Sequence, residues 1–406
     1  MNSGDIAFIL ICSSFVFLMT PALAFFYGGL ERRKNILNTM MMVFCMLGIA
    51  SLVWVIAGYS LAFSGHGLWV GDLSRMFLKG VSATEGKGIP DMLFAIFQMM
   101  FALIATAILT GSVVGRMKFS AMVSFIILWL VLVYAPMAHM VWGHGFLEKI
   151  GSIDFAGGNV IHISSGISGL VLALVIGRRK DYMKLDNTPH NVPYVVLGTA
   201  LLWFGWFGFN GGSALGANGL AIHAFLTTNI AAASGMISWM IVERFFVEKP
   251  TIVGACTGSI VGLVAITPGA GFVSAASAMM IGLAVIPVCY FFIVSIKRRL
   301  KLDDTLDAFG CHGIGGIFGG LMVGIFADPS LGHAGLLYGN THLFIAQVES
   351  IIFTIAFSAI MSFGIVMVVK RFLPLRATEE DEVIGMDLAE HNERAYVKEA
   401  GKKLFS

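Results

Sequence analysis

Two histidines sit in segments that are otherwise apolar. His162 lies in "DFAGGNVIHISSGISG" and His312 in "DTLDAFGCHGIGGIFG". Each follows an aspartate by eight residues, Asp154 and Asp304, and each begins the pattern H-x3-G-x2-G, through Gly166 and Gly169 in one copy and Gly316 and Gly319 in the other. Imidazole can accept or donate an N–H bond and changes charge near neutral pH. An ionisable side chain within an apolar span is costly to desolvate and usually faces a pathway. One such histidine is as readily structural as functional; two in equivalent places point to function. Asp154 has a plainer reading as well, because an aspartate at a helix start caps the first amides, here those of Ala156 or Gly157.

The elements that must position these groups follow from composition. The 406 residues are 57% hydrophobic and 12% charged, with a mean hydropathy of +0.85. Soluble domains carry about a quarter charged residues, so the chain reads as an all-α polytopic membrane protein whose solvent is the lipid bilayer. A crossing helix needs about 20 apolar residues. Eleven stretches qualify, near 5–30, 38–63, 91–115, 119–142, 158–177, 192–213, 219–242, 250–267, 272–296, 307–326 and 344–369. Met1 to Asp5 lacks a basic region and the apolar run after it reaches Leu30, which predicts a crossing helix rather than a cleaved signal.

The positive charges orient the bundle. With the N-terminus outside, the inner connectors hold 17 Lys and Arg, the tail after Leu373 holds five, and the outer connectors hold only Arg75, Lys79, Lys87 and Lys149. That excess inside predicts an N-out, C-in topology in the cytoplasmic membrane. A second, weaker echo supports a repeat: Phe26-Tyr27-Gly28-Gly29 ends the first helix as Phe209-Asn210-Gly211-Gly212 ends the sixth. Helix 1 then corresponds to 6, and helix 5 to 10. Five crossings are an odd number, so the second copy enters from the opposite side. The expectation is an inverted five-helix repeat, helices 1–5 and 6–10, plus one extra helix, with the pathway between the halves. Each histidine then lies about 12 Å below its own surface, eight residues at ~1.5 Å each, and the two meet near the middle of the membrane.

Cys12, Cys45, Cys256, Cys289 and Cys311 fall inside the spans without metal or disulfide spacing and read as small buried apolar residues. No metal, no cofactor and no nucleic-acid partner is expected. Two parts are expected: a transmembrane domain over 1–373 and a cytoplasmic tail over 374–406, which contains Glu379-Glu380-Asp381-Glu382 and is too short to fold alone.

Six motifs in order, "FFYGGL" (Phe25–Leu30), "AHMVWGHG" (Ala138–Gly145), "DFAGGNVIH" (Asp154–His162), "WFGFNGGS" (Trp206–Ser213), "GACTG" (Gly254–Gly258) and "FGCHG" (Phe309–Gly313), resemble those of the ammonium transporter family, the Amt/Rhesus superfamily, in its bacterial and archaeal Amt branch. The resemblance covers nearly the full length. It implies that Phe97, Phe101, Trp142 and Ser213 form an outer ammonium site, that Phe101 and Phe209 form a stacked gate, and that His162 and His312 line a narrow pore. Asp154, Asp304, Tyr27, Trp206 and Thr257 are implied in support, and the assembly is implied to be a homotrimer. Elementary chemistry fits these roles: ammonium has four N–H donors and potassium none, so ring faces, a hydroxyl and imidazole acceptors can tell them apart. A charge resists an apolar pore and ammonia does not. The implied mechanism therefore deprotonates ammonium at the gate and passes ammonia, with or without its proton. In the tail, "GMDLAEHNERAY" (Gly385–Tyr396) resembles the family's docking surface for PII-type signalling proteins, with Asn392 where glycine is expected.

Ammonium transport is thus the expected function, and no enzymatic activity is expected. An ammonium sensor with little flux normally needs an output domain larger than this tail. A metal enzyme built on His162 and His312 lacks a nearby third ligand, since His139 and His144 fall toward the outer face.

Overall fold

The computed structural model describes residues 2–183 and 188–396. These are helical, with no β-strand among them and two isolated bridges, Met117–Arg376 and Val273–Ala327. In chain order the main helices are α1 (Ser3–Leu30), α2 (Ile36–Phe63), α3 (Asp91–Thr110), α4 (Phe119–Lys149), α5 (Gly158–Ile176), α6 (Val192–Gly212), α7 (Gly219–Phe246), α8 (Ile252–Ile266), α9 (Ala275–Arg299), α10 (Phe309–Phe326) and α11 (Thr341–Phe372). Ten of the eleven are long and apolar enough to cross a membrane; α8, with 15 residues, is the exception. At ~1.5 Å per residue it covers about 22 Å of a hydrocarbon core of about 30 Å. Residues 250–267, expected to be wholly helical, lose both ends to local chemistry. Thr251 caps α8 by accepting from the Gly254 amide at 2.9 Å, and Pro268 follows the helix end.

Lipid offers helices no hydrophobic incentive to associate, so close van der Waals contact between small residues must hold them. α1 and α6 show this. A Cβ at Gly198 would lie 2.4 Å from the Phe26 nitrogen, and one at Gly208 would lie 2.7 Å from the Phe15 Cβ. Gly29 meets Asn191 at one end of the pair and Gly212 meets Cys12 at the other, so the two helices run antiparallel. One face of the bundle, near the N-terminus, joins Asp5 to the Ala217 amide (2.7 Å). The opposite face carries the tail.

On the tail face two arginines of the connectors are buried. Arg116 is 0% exposed and donates to Thr305 Oγ1 (2.6 Å), the Asp303 carbonyl (2.5 Å) and the Gly177 carbonyl (2.8 Å). Arg179 pairs with Asp303 at 2.7 Å. Burial alone would raise the Asp303 carboxyl, but the fields of Arg116 and Arg179 outweigh it and hold the group below the ordinary aspartate value. Burial pushes Arg116 down to about 10, which leaves it charged at neutral pH.

The tail is strapped across this hub. The Lys118 amide donates to Leu375, and Ala377 donates to the Arg116 carbonyl, both at 2.9 Å. Thr378 caps α12 (Glu379–Ile384), and α13 (Met386–His391) follows. Met386 donates to Asn35 Oδ1 (3.0 Å) and the Asn38 amide to Asp387 (2.8 Å). Asn392 ends α13 with φ 54, a left-handed conformation that asparagine tolerates, so the turn expected of glycine is kept. Of the tail expected over 374–406, residues 397–406 lie outside the described residues.

Candidate functional site

A cavity of about 310 Å³ opens on the N-terminal face. Phe97, Phe101, Trp142 and Ser213 line it together with the carboxylates Glu148 and Asp154, and among the described residues no Lys or Arg does. Phe97 and Phe101, one turn apart on α3, meet edge to face at 4.8 Å. The Trp142 indole stands 6.2 Å from the Phe101 ring and is fixed by its Nε1 donating to the Asp154 carbonyl at 2.8 Å. Ser213 donates its hydroxyl to the Phe209 carbonyl at 2.9 Å, which leaves the oxygen lone pairs to accept another N–H.

Directly beneath, Phe101 and Phe209 close the floor, both 1% exposed and with ring centroids 4.4 Å apart. Past them the His162 ring lies 6.2 Å from Phe209, is stacked at 5.6 Å on Trp206, and faces His312. The two Nδ1 atoms are 3.2 Å apart, so one carries the shared hydrogen. The Nε2 of His162 is buried and meets no hydrogen-bond partner among the described residues. The cavity beside the pair measures about 20 Å³ and is otherwise walled by side chains such as Leu23, Ile104 and Leu202. That is room for one water-sized molecule.

The symmetry-related aspartates do corresponding work. Asp154 accepts four amides: Gly157 (2.8 Å), Gly158 (2.7 Å), Asn159 (2.7 Å) and Val160 (3.5 Å). It caps the helix as expected, although Ala156 is not among the donors. Asp304 accepts from Phe309 (2.9 Å) and Gly310 (3.2 Å), the same offsets of five and six residues as Asn159 and Val160, and takes Ser112 Oγ (2.7 Å) on its other oxygen. Each aspartate seats a π-helical turn, Gly158–Ile163 or Phe309–Gly313, that carries its histidine. Such turns often mark functional sites. The glycines of the repeat act across the pair: a Cβ at Gly166 would lie 2.4 Å from the Gly313 nitrogen, and one at Gly316 would lie 3.0 Å from the His162 Cβ. Each motif thus leaves a gap for the backbone beside the other motif's histidine.

Tyr27 borders the same narrow cavity and donates to the Ile108 carbonyl at 3.0 Å; Trp206 donates to Thr267 at 2.9 Å. Thr257 is not brought to the histidines. It lines a separate chamber of about 530 Å³ on the tail face. His139 is held by the Ala62 and Gly67 carbonyls and His144 by Glu148, away from the pair. Among the described residues no three His, Cys, Asp or Glu side chains could together hold a metal ion. Sequence reasoning missed Asp307 and Cys311, which line both the narrow cavity and the chamber, and Lys297, which pairs with Asp307. Asp307, five residues before His312, carries the one signal that a sequence could have offered.

A model of the Ammonium Transporter Family matches residues 7–396. The ammonium transporter of Bacillus subtilis (strain 168) is 49% identical over 402 residues, covering 98% of this chain and 99% of the relative. Ammonium transporter Amt1 of Archaeoglobus fulgidus is 43% identical over 399 residues, covering 98% and 100%. Among solved structures, Candida albicans Mep2 has a TM-score of 0.90 at 34% identity over 97% of this chain and 90% of its own. A Sensor Amt Protein has a TM-score of 0.90 at 30% identity, covering 96% and 98%.

Proposed function

The chain belongs to the ammonium transporter family, and we propose that it recruits ammonium at the aromatic mouth, passes a proton from it at the Phe101–Phe209 gate to the neutral His162–His312 pair beneath, and conducts ammonia past the two rings. The observation that carries this reading is the facing histidine pair in a narrow, mostly apolar cavity with room for one small molecule, with a ring nitrogen of His162 left without a partner among the described residues. An ion of ammonium size loses several kcal/mol of hydration in such a space, whereas neutral ammonia loses little. The unpartnered Nε2 can accept an N–H from the passing molecule. The shared hydrogen between the rings lets the pair hold or hand on a proton.

In this reading the N-terminal face is outside and the tail is cytoplasmic; eleven membrane segments, the short α8 among them, form an inverted repeat. The antiparallel packing of α1 on α6 and the matching aspartate offsets support it. The molecule works as a homotrimer in the cytoplasmic membrane, with 1–373 as transporter and 374–406 as regulatory tail. A PII-type protein docks at the tail, and loss of its pull-down on removing Gly385–Ser406 tests that. For transport the test is uptake of an ammonium analogue by proteoliposomes, with excess potassium as competitor, a readout that holds whether or not the proton crosses. Uptake that ammonium inhibits and potassium does not is expected, and uptake no greater than that of protein-free vesicles would defeat the proposal. The likeness to the Sensor Amt Protein supports a second reading, an ammonium sensor; saturable ammonium binding without flux would select it.

A further inference from the structure

The two mouths differ in charge. The outer cavity holds Glu148 and Asp154 and no cation, whereas the tail-face chamber holds Arg32, Arg179, Lys297 and Arg298 against Glu31 and Asp307. Behind the wall, Arg32 is neutralised by Asp181 and Arg179 by Asp303. Arg298 is exposed to solvent. Glu31 is buried, accepts from Asn35 and does not line the narrow cavity, so what remains at the pore's end is one pair. Asp307 lines both the chamber and the narrow cavity, and its side chain keeps 28% exposure. Its backbone is left-handed (φ 58), unusual for a residue other than glycine, and turns the chain into the helix that carries His312. Lys297, at the end of α9, reaches its Nζ to this carboxylate and to the Asp304 carbonyl (3.1 Å), with its own side chain 14% exposed.

A lysine head is an alkylated ammonium. It presents three N–H donors and one positive charge, nearly the chemistry of the ion this family carries. We propose that Lys297 is a tethered ammonium that occupies the Asp307 carboxylate and so denies it to ammonium ions arriving from the tail face. The inference rests on the transport reading above. With the carboxylate filled, the tail-side mouth has no anionic seat beside the pore. The outer mouth keeps its ring faces and free serine lone pairs, with no lysine or arginine among the described residues lining it. The protein therefore saturates at lower ammonium from outside than from inside.

Detailed balance shapes the test. In a passive pore at zero potential, initial rates at low concentration are equal from either side, so the asymmetry is read in the half-saturation concentration. Ammonium flux is measured from each face in oriented proteoliposomes with the potential clamped at zero. Lys297→Met should lower the tail-side value about fivefold, the ratio that corresponds to about 1 kcal/mol between unit charges ~4 Å apart in water, and leave the outer value unchanged. Lys297→Arg should keep the wild-type value. Lys297→Met with Asp307→Asn, which leaves no unpaired charge and so guards against misfolding of the single variant, should return the tail-side value to wild type. An unchanged tail-side value in Lys297→Met, or the same fall in the double variant, overturns the inference while transport stands. A wild-type protein silent from both faces overturns the transport reading and this inference with it.

Discussion

Asp154→Asn separates the two things an aspartate beside the aromatic cavity could do. The carboxylate takes Gly157 and Gly158 on Oδ1 and Asn159 and Val160 on Oδ2. Asparagine can keep one oxygen for one pair of amides, but its NH2 then faces the other pair, donor against donor. Bonds to a charged acceptor are worth about 1.5–3 kcal/mol each, and a buried amide left without an acceptor costs about 1–3 kcal/mol. The substitution loses at least one good bond and weakens two more, so a destabilisation of roughly 3–5 kcal/mol at the π-helical turn is expected. The turn carries His162, whose ring must stay 3.2 Å from its partner nitrogen. Thermal unfolding in detergent should shift to lower temperature, and uptake of an ammonium analogue by proteoliposomes should fall at least about tenfold, as one lost ~1.4 kcal/mol interaction already implies. A wild-type midpoint with wild-type uptake would refute the capping role. Lost uptake at an unchanged midpoint would move Asp154 from holding the helix to attracting the cation.

Trp142→Leu removes a rim aromatic worth about 0.5–2 kcal/mol to a cation, so half-saturation of ammonium-analogue uptake should rise roughly 2- to 30-fold while the protein stays folded. Replacing His162 and His312 together with Ala should lower ammonium transport and admit potassium; retained transport with potassium still excluded would make the pair structural. Because Asp303 is held below the ordinary aspartate value, it contributes stability above a pH of about 3.9, which is lost as pH falls through its folded value. Asp303→Asn should therefore reduce stability at pH 7 and flatten its acid dependence, as read by unfolding midpoints across pH.

The repeat of aspartate, histidine and glycine was legible because each part answers a local demand: a cap, a ring, and a residue without a Cβ where two backbones touch. Helical hydropathy likewise placed the long segments, since lipid requires them. α8 was drawn too long because hydropathy does not register that Thr251 turns its hydroxyl to the Gly254 amide. Lys297, Arg116 and Arg179 entered the sequence reading only as charges of the inner connectors. Their partners Asp307, Asp303 and Thr305 fall on the far side of folds in the chain, and nothing in the spacing links them. The glycines were seen as a pattern, but that Gly166 and Gly316 lie against the other copy's histidine turn, while Gly169 faces Ser112 and Gly319 faces Ala265, is a property of the packed molecule alone.

Division of labour along the pore follows from what each layer can recognise. Ring faces attract any compact cation, so in the proposed mechanism Phe97, Phe101 and Trp142 would raise the local concentration of ammonium and potassium alike. The Ser213 oxygen, already donating to Phe209, offers lone pairs that reward an N–H donor and give a bare potassium ion only part of its lost hydration. Below the phenyl pair the space shrinks to about 20 Å³, where a charged guest keeps no water shell. Ammonium can leave a proton behind and proceed as a neutral molecule, whereas potassium has nothing to shed. Selectivity in the proposed mechanism thus lies in the histidine layer and affinity in the mouth. Trp142→Leu should accordingly weaken loading without admitting potassium, and the double histidine replacement should admit it even with the mouth intact.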